Sequence, residues 1–378
     1  MKSLFRILGR SLLVLLLLLA VGVVLVLFTP VWVHRFGPQE PALQLQADTL
    51  RPVPVPPGPL KVMSWNIKFG GGRIDFFFDC YGDRVHMSAR EVTTHLAAIC
   101  RVIRQEDPDI LLLQEVDIDS RRAAYVDQLA WILNHTALNY GAYASQWQVR
   151  YVPSHGLGRV NSGVAILSKY PLADAVRHQL PLIEEQDPLT RFFYLRRCVL
   201  QATVSLPGGA APIRVLNTHL EAYSHDGTKR RQLQQLAGLA HGASTHGAVI
   251  VGGDFNLIPP GARQTHGFDD AACQDEFQAD DYRPDARLLM PWYATYAEAI
   301  PLQAYLANEP AYYGHTVNGR STWNRRLDYL FTNGQWAEGR VLQQYFTLSD
   351  HAPLVASWQS TGADIAASPV GRHHQAKK

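Results

Sequence analysis

The sequence predicts an α/β chain, with a mixed or antiparallel sheet system flanked by helices, on three observations. Apolar runs of strand length alternate with stretches of helical periodicity. Several strand runs meet through turn signals rather than helices, which departs from a strict βαβ rhythm. An apolar content of 47% over 378 residues supplies a sizeable core.

Residues 1–10 carry Lys2, Arg6 and Arg10, and charge of this sign is expected on the cytoplasmic side of a membrane. Residues 11–33 contain no charge, and about 20 apolar residues suffice to span a bilayer as a helix. No small-x-small cleavage site follows, so a retained transmembrane anchor is predicted. The body is then expected outside the cytoplasmic membrane. Residues 34–60 end in RPVPVPPGP and predict an extended, semi-rigid linker lifting the body off the bilayer. Residues 61–360 form the predicted folded domain, and the polar residues 361–378 a disordered tail.

Within the domain, LKVMSWNI and DILLLQEV read as buried strands. The helix between them opens on a capping box, Ser88 with Glu91, carries Val92, Leu96, Ile99 and Ile103 on one face, and stops at Pro108. SGVAILS, CVLQATVSL and IRVLNTHL are further strands, the last two joined by the turn PGGAAP. KRRQLQQLAGLA is helical, and AVIVGGD, LDYLF and PLVASW complete the strands. Residues 71–87 and 261–321 fit neither period and read as insertions. Their aromatics, in RIDFFFDCYG and MPWYATYAEA, could meet acyl chains, stack on a base or sugar, or simply pack their own loops.

A formal charge of +2 gives no sign of a dedicated nucleic-acid binder, although a local basic groove is compatible with it. Four cysteines without a CxxC pair read as separate buried or free thiols.

The candidate chemistry lies where apolar strands run out. Asn66 ends VMSWN, Glu115 ends ILLLQE, and Asn217 and His219 end IRVLNTH. Asp254 and Asn256 end VIVGGDFN, Asp328 lies in RRLDYLF, and Asp350 and His351 precede APLVASW. Each alone is as compatible with a turn or a cap as with function. Strand ends on one edge of a sheet system converge, so the set can share one cleft. Hard oxygen donors with few imidazoles suit Mg²⁺ or Mn²⁺ rather than zinc. A hard cation, histidines and an acidic base together suit hydrolysis of a phosphate ester.

Seven blocks, VMSWNIKFGG, DILLLQEVD, NSGVAILSKYPL, VLNTHLEA, VIVGGDFNLIP, RRLDYLF and LSDHAPLVA, occur in an order that resembles the endonuclease/exonuclease/phosphatase superfamily. That resemblance implies two packed β-sheets with helices outside and a Mg²⁺-dependent phosphoesterase site. It implies Glu115 as principal metal ligand, with Asn66 and Asp350 beside it. Asp254 would orient or deprotonate the attacking water, assisted by Asn256. His351, oriented by Asp328, would bind the scissile phosphate, and His219 would be a second phosphate donor or assist the leaving group. Asn161 and Asn217 are candidate substrate contacts. With the anchor, the expected function is phosphodiester hydrolysis on a lipid or its headgroup. The alternatives are an extracytoplasmic nuclease, suggested by the run KRRQ, and a tethered binding module without catalysis. No protein partner is expected.

Overall fold

The computed structural model describes residues 2–28, 33–53, 55–56, 58–79, 82–268, 281–317 and 322–360. In chain order the strands are β1 (Gln39–Pro41), β2 (Leu43–Gln46), β3 (Leu60–Asn66), β4 (Ile110–Asp117), β5 (Tyr140–Val152), β6 (Gly158–Ser168) and β7 (Leu172–Gln179). They continue as β8 (Cys198–Val204), β9 (Ile213–His219), β10 (Val249–Asp254), β11 (Ala297–Glu298), β12 (Asp328–Thr332), β13 (Gln335–Val341) and β14 (Leu354–Gln359). One sheet has the order β13-β14-β3-β4-β6-β5-β2, the other β1-β7-β8-β9-β10-β12-β11. The pairs β3–β4 and β9–β10 are parallel and the remaining pairs antiparallel, so both sheets are mixed, as expected.

Strand alternation builds four layers. Val62, Leu112, Val164 and Ile166 of the first sheet meet Leu200, Val215, Ile250 and Leu330 of the second in a central core. The opposite face of the first sheet, with Met63, Trp65, Leu111 and Leu113, packs on Leu96, Ile99, Ile103 and Leu129. Those four come from the next two helices after the N-terminal α1 (Lys2–Phe28), namely α2 (Ala89–Glu106) and α3 (Gln128–His135). The capping box at Ser88 forms as predicted. The short helix α4 (Pro188–Phe193) sets Phe192 and Phe193 against Val149, Val152 and Val160, and α5 (Thr228–Ser244) with α6 (Met290–Thr295) covers Val249, Val251 and Phe331 of the second sheet.

Two glycines let the sheets close. A Cβ on Gly253, at φ +133°, would lie 1.9 Å from Thr218 O on the neighbouring strand. One on Gly252 would lie 2.6 Å from Leu330 and 2.7 Å from Leu112 across the core. Neither neighbour can give way inside a close-packed interior.

The N-terminal region departs from expectation. Helix α1 starts before residue 11 and ends at Phe28 rather than at residue 33. Among the described residues no helix is long and apolar enough to cross a membrane. Val33 is buried with Val149, Val152, Leu157 and Val160, and bridges Val149, so it belongs to the domain and not to a span. The expected free linker is folded in part: β1 pairs with β7 and β2 with β5, one on an edge of each sheet. Proline-rich composition concealed these strands because edge strands tolerate the missing donor. Cys100 and Cys198 are free and buried, matching the thiol expectation, whereas Cys80, Cys273 and the expected tail 361–378 lie outside the described residues.

Asn217 is a fold residue. It is fully buried, and its Nδ2 donates to Leu113 O and Ala165 O of the opposite sheet, each at 2.8 Å. Its Oδ1 accepts from Gln114 Nε2 at 2.8 Å. Every polar capacity but one is used inside the sandwich, so the expected substrate contact is not available. Asn217→Ala is expected to cost about 3 kcal/mol, because three buried partners lose their bond. A lowered midpoint in guanidinium unfolding with unchanged KM would show it, and a raised KM at unchanged stability would contradict it.

Candidate active site

The inward phase of each central strand ends in a polar group at one end of the seam between the sheets. Val62 and Ser64 lead to Asn66, Val215 and Asn217 to His219, and Ile250 and Gly252 to Asp254. On the antiparallel β12, Leu330 leads back to Asp328, and His351 lies just before β14. Glu115 breaks this parity. Leu111 and Leu113 point to the helices, so Glu115 on an unbroken strand would follow them. A register shift between Leu113 and Val116 inserts an extra residue, Glu115 takes φ +54°, and Val116 returns to the helix side. The bulge turns the carboxylate toward the seam, and a positive φ in a non-glycine residue is the cost of that aim.

Three nitrogen atoms surround one oxygen, Asp254 Oδ2: Asn66 Nδ2 at 3.2 Å, His219 Nε2 at 3.4 Å and His351 Nε2 at 3.5 Å. Asp254 Oδ1 accepts the Asn256 backbone N–H at 2.9 Å. Asn66 Nδ2 also donates to Glu115 Oε1 at 3.0 Å, and His219 Nδ1 lies 4.0 Å from that oxygen. His351 Nδ1 donates to Asp328 Oδ2 at 2.7 Å. The sequence-predicted Asn66, Glu115, His219, Asp254, Asp328, Asp350 and His351 are therefore brought together.

Electrostatics sorts them by role. Burial opposes a charge on His351, but Asp328, Asp254 and Asp350 outweigh it and raise the ring to about 10. Burial, with Asp328 adding to it, raises Asp254 to about 7 against the opposing pull of His351. Burial, with Arg197 and His351 near, pushes His219 well below the ordinary value, so its ring is neutral. Burial and the Asp350 charge push Glu115 up. Burial works against the Asp350 carboxylate too, but Lys68, His351 and Arg73 hold it below the usual range.

Two charge clusters could hold a cation. Ligand atoms of Asp254, Asp328 and His351 lie within 4.8 Å of one another. A His351 ring charged at neutral pH has no lone pair to offer, so that trio serves better as an acid–imidazolium relay. Glu115 and Asp350 are the better pair. Both are hard oxygen donors, they repel one another, and a divalent cation would relieve the burial that raises Glu115. Asn66 stands beside this pair: its Nδ2 donates to Glu115 and Asp254, and its Oδ1 accepts Lys68 N–H at 3.0 Å.

Asn256 does not continue an extended strand beside Asp254: β10 ends at Asp254 and Asn256 turns at φ +49°, with Nδ2 donating to Leu220 O. Phe255 is buried against Trp292, Tyr329 and Phe331. Asn161 sits on the site's flank, its Oδ1 accepting from Ser145 Oγ at 2.6 Å and Tyr143 OH at 3.1 Å. The insertion aromatics pack inward: Phe76 is buried against Phe69 and Phe78, and Trp292 and Tyr296 lie in the core under the second sheet. The run KRRQ is no basic patch, because Lys229 is buried beside Asp285 and Arg231 meets Glu184 and Asp226.

Residues not anticipated complete the wall. Lys68 is buried, pairs with Asp79 at 2.8 Å and lies near Asp350. Arg122 grips Asp117 through two bonds of 2.8 and 2.9 Å, and its charge acts on Glu115. Arg197 lies beside Glu221, and His315 meets His351 at a tilt of 51° with ring centroids 4.3 Å apart. Only the adjacency of Lys68 to the WN strand end carried a sequence signal; the others come from distant segments.

A family model described as the Endonuclease/Exonuclease/phosphatase family matches residues 63–351, and the chain belongs to that family. Its members are metal-dependent phosphodiesterases, nucleases or phosphatases, and this chain is an enzyme of that class. Among solved structures, an endonuclease/exonuclease/phosphatase from Beutenbergia cavernae DSM 12333 is 21% identical with a TM-score of 0.52, over 80% of this chain and 71% of that one. The human Nocturnin catalytic domain with bound sulfate anion is 20% identical with a TM-score of 0.51, over 85% of this chain and 98% of that one. A functionally unknown conserved protein from Enterococcus faecalis V583 is 17% identical with a TM-score of 0.50, over 80% and 100%. At these identities the likeness is one of fold. No curated protein matches the chain.

Proposed function

We propose that this member of the endonuclease/exonuclease/phosphatase family is a Mg²⁺-dependent phosphodiesterase, anchored to a membrane by α1, that hydrolyses the phosphodiester of a lipid or its headgroup. The observation that carries the chemistry is the convergence of Asn66, His219 and His351 on Asp254 Oδ2, beside the paired acids Glu115 and Asp350.

Glu115 and Asp350 would hold the cation, which when bound neutralises charge on the phosphoryl oxygens. Asp254, raised to about 7, takes the proton of the attacking water, since a base works best with a pKa near the operating pH. His351 carries its proton on Nε2 toward the phosphoryl oxygens, while Asp328 fixes the ring from Nδ1. His219, neutral in this setting, donates a hydrogen bond rather than a proton. Asn66 holds Glu115 and Asp254 in one orientation.

Support for the membrane reading is local. Helix α1 exposes leucines such as Leu12 at 59% and Leu18 at 65%. Five chain steps separate Phe28 from Val33, at most roughly 18 Å of chain. His34 N–H donates to Gln148 O at 2.9 Å, and Gln148 pairs with Asn161, beside Ser162 on β6. Ser162 Oγ accepts from Arg122, whose charge reaches Glu115. From Val33 onward the chain thus meets β5, whose partner β6 carries Ser162 near the seam, and this supports a substrate presented at the bilayer surface. Lys2, Arg6 and Arg10, in the N-terminal part of α1, favour a cytoplasmic N-terminus and an extracytoplasmic domain.

Full-length protein in detergent with Mg²⁺ is assayed on bis(p-nitrophenyl) phosphate, phospholipid vesicles and plasmid DNA in parallel. Phospholipid hydrolysis is expected; cleavage of DNA without lipid turnover would replace the lipid reading with a nuclease. Activity is also expected to rise through pH about 7 with Asp254 ionisation and to fall as His351 deprotonates near 10. Asp328→Asn should move the alkaline limb to lower pH, because Asp328 is the largest support of the imidazolium. The sign is the same for stability: His351 is raised above 6.5, so its pairing contributes fully below that pH and is lost as pH climbs through about 10. An alkaline limb that stays in place in Asp328→Asn would remove His351 from this role.

A further inference from the structure

A second cluster of charge lies outside the catalytic seam, where the chain enters the fold after α1. Arg177 on β7 is 2% exposed. Its Nε donates to Ser145 O at 2.8 Å and its Nη2 to Gln179 Oε1 at 2.9 Å and Arg196 O at 2.8 Å. The guanidinium lies 3.7 Å over the Phe36 ring. Its Nη1 is sealed from solvent without a hydrogen-bond partner, and so is Nε of the half-buried Arg196. Arg35, adjacent to Phe36, is exposed.

Arg177 Nη2 reaches the Arg196 backbone, Phe36 beneath it adjoins Arg35, and the charges of Arg35 and Arg177 both act on Arg196. Burial, Arg35 and Arg177 together hold Arg196 below its ordinary value, and burial lowers Arg177. The one carboxylate acting on Arg177 is Glu40. Glu40 is turned elsewhere: its Oε1 accepts Gly37 N–H, and its Oε2 lies 3.9 Å from His34 Nε2. Among the described residues none of the three arginines has a carboxylate within ion-pair distance. A buried guanidinium with a free donor is costly, and an anion with several acceptor oxygens removes that cost. Planar N–H forks stacked on an aromatic ring are suited to phosphate. The adjacent Arg197 belongs to the other side, near Glu221 and the catalytic carboxylates.

We propose that Arg35, Arg177 and Arg196 form a phosphate-binding pocket, separate from the catalytic seam, that takes the phosphate of an anionic lipid headgroup or a free phosphate. Arg35 follows Val33 by two residues, so the pocket lies beside the point where the helix joins the domain.

The test uses the full-length chain in zwitterionic detergent, with metal removed by EDTA so that the reading of the catalytic site is not at stake. Calorimetric titration with inorganic phosphate, and separately with dihexanoyl phosphatidylglycerol, should show saturable binding. Tenfold tighter binding of the lipid assigns the pocket to a headgroup, and equal binding assigns it to free phosphate. Arg177→Gln also loses bonds to Ser145 and Arg196 carbonyls, so the decisive variant is Arg35→Gln with Arg196→Gln, whose side chains hold no backbone group. That double variant should keep the parent's thermal midpoint and bind both probes at least tenfold more weakly. Absence of saturable binding in the parent, or unchanged binding in the folded double variant, would overturn the pocket.

Discussion

Asp254→Asn is expected to lower kcat on bis(p-nitrophenyl) phosphate by about 10³-fold or more, with KM little changed, since a general base acts in the transition state. The substitution keeps the shape of the side chain and an oxygen to accept Asn256 N–H, so the turn after β10 survives. It removes the group whose burial raises it to about 7, and with it the one carboxylate among the described residues met by both His219 and His351. Stability should move the other way. An acid whose pKa is raised on folding opposes the native state once pH exceeds its ordinary value, and this opposition is complete above about 7. The variant should therefore melt no lower than the parent at pH 8, an exchange of stability for activity common at catalytic sites. A variant that retains full kcat would show that another group takes the proton, and added Mg²⁺ should not rescue the loss.

How much of this could be read from the chain follows from burial. β3, β4, β9 and β10 are buried on both faces and read as continuous apolar runs, so their ends, and the polar groups there, were legible. β7, LADAVRHQ, and the outer part of β5, with SQWQVRYV, are half-exposed and polar, and their strand character comes from partners far along the chain. The bulge at Glu115 left no trace in composition, because any residue type can occupy an inserted position. The turn at Asn256 was hidden for a related reason: alternation assumes that the strand continues. The insertion aromatics were open to two readings, and packing decided between them. Phe76 and Trp292 gain more from a core than from solvent, and the core was within reach. Arg122, Arg197 and His315 act on the site from separate segments, and no local pattern announces a group brought in by tertiary packing.

Glu115→Gln is expected to weaken Mg²⁺ binding about 100-fold, roughly 2.8 kcal/mol, and to lower activity in proportion at limiting metal. The amide retains an oxygen for Asn66 Nδ2, so the bulge and its φ of +54° need not relax. What is lost is charge: Glu115 is 30% exposed, whereas Asp254 is 1% exposed. Raising Mg²⁺ should restore much of the rate, a response that separates a ligand from the base at position 254. Without metal the expected sign reverses. Burial and the neighbouring Asp350 charge raise Glu115, so its ionised form opposes the native state above the ordinary carboxylate range, and the neutral amide removes that term. The metal-free variant should then melt at or above the metal-free parent, while the rise in melting temperature that Mg²⁺ gives the parent should shrink. Both shifts can be read from one pair of thermal scans at pH 8. A variant with the parent's full Mg²⁺-induced rise would remove Glu115 from the metal site and leave Asp350 to be tested in its place.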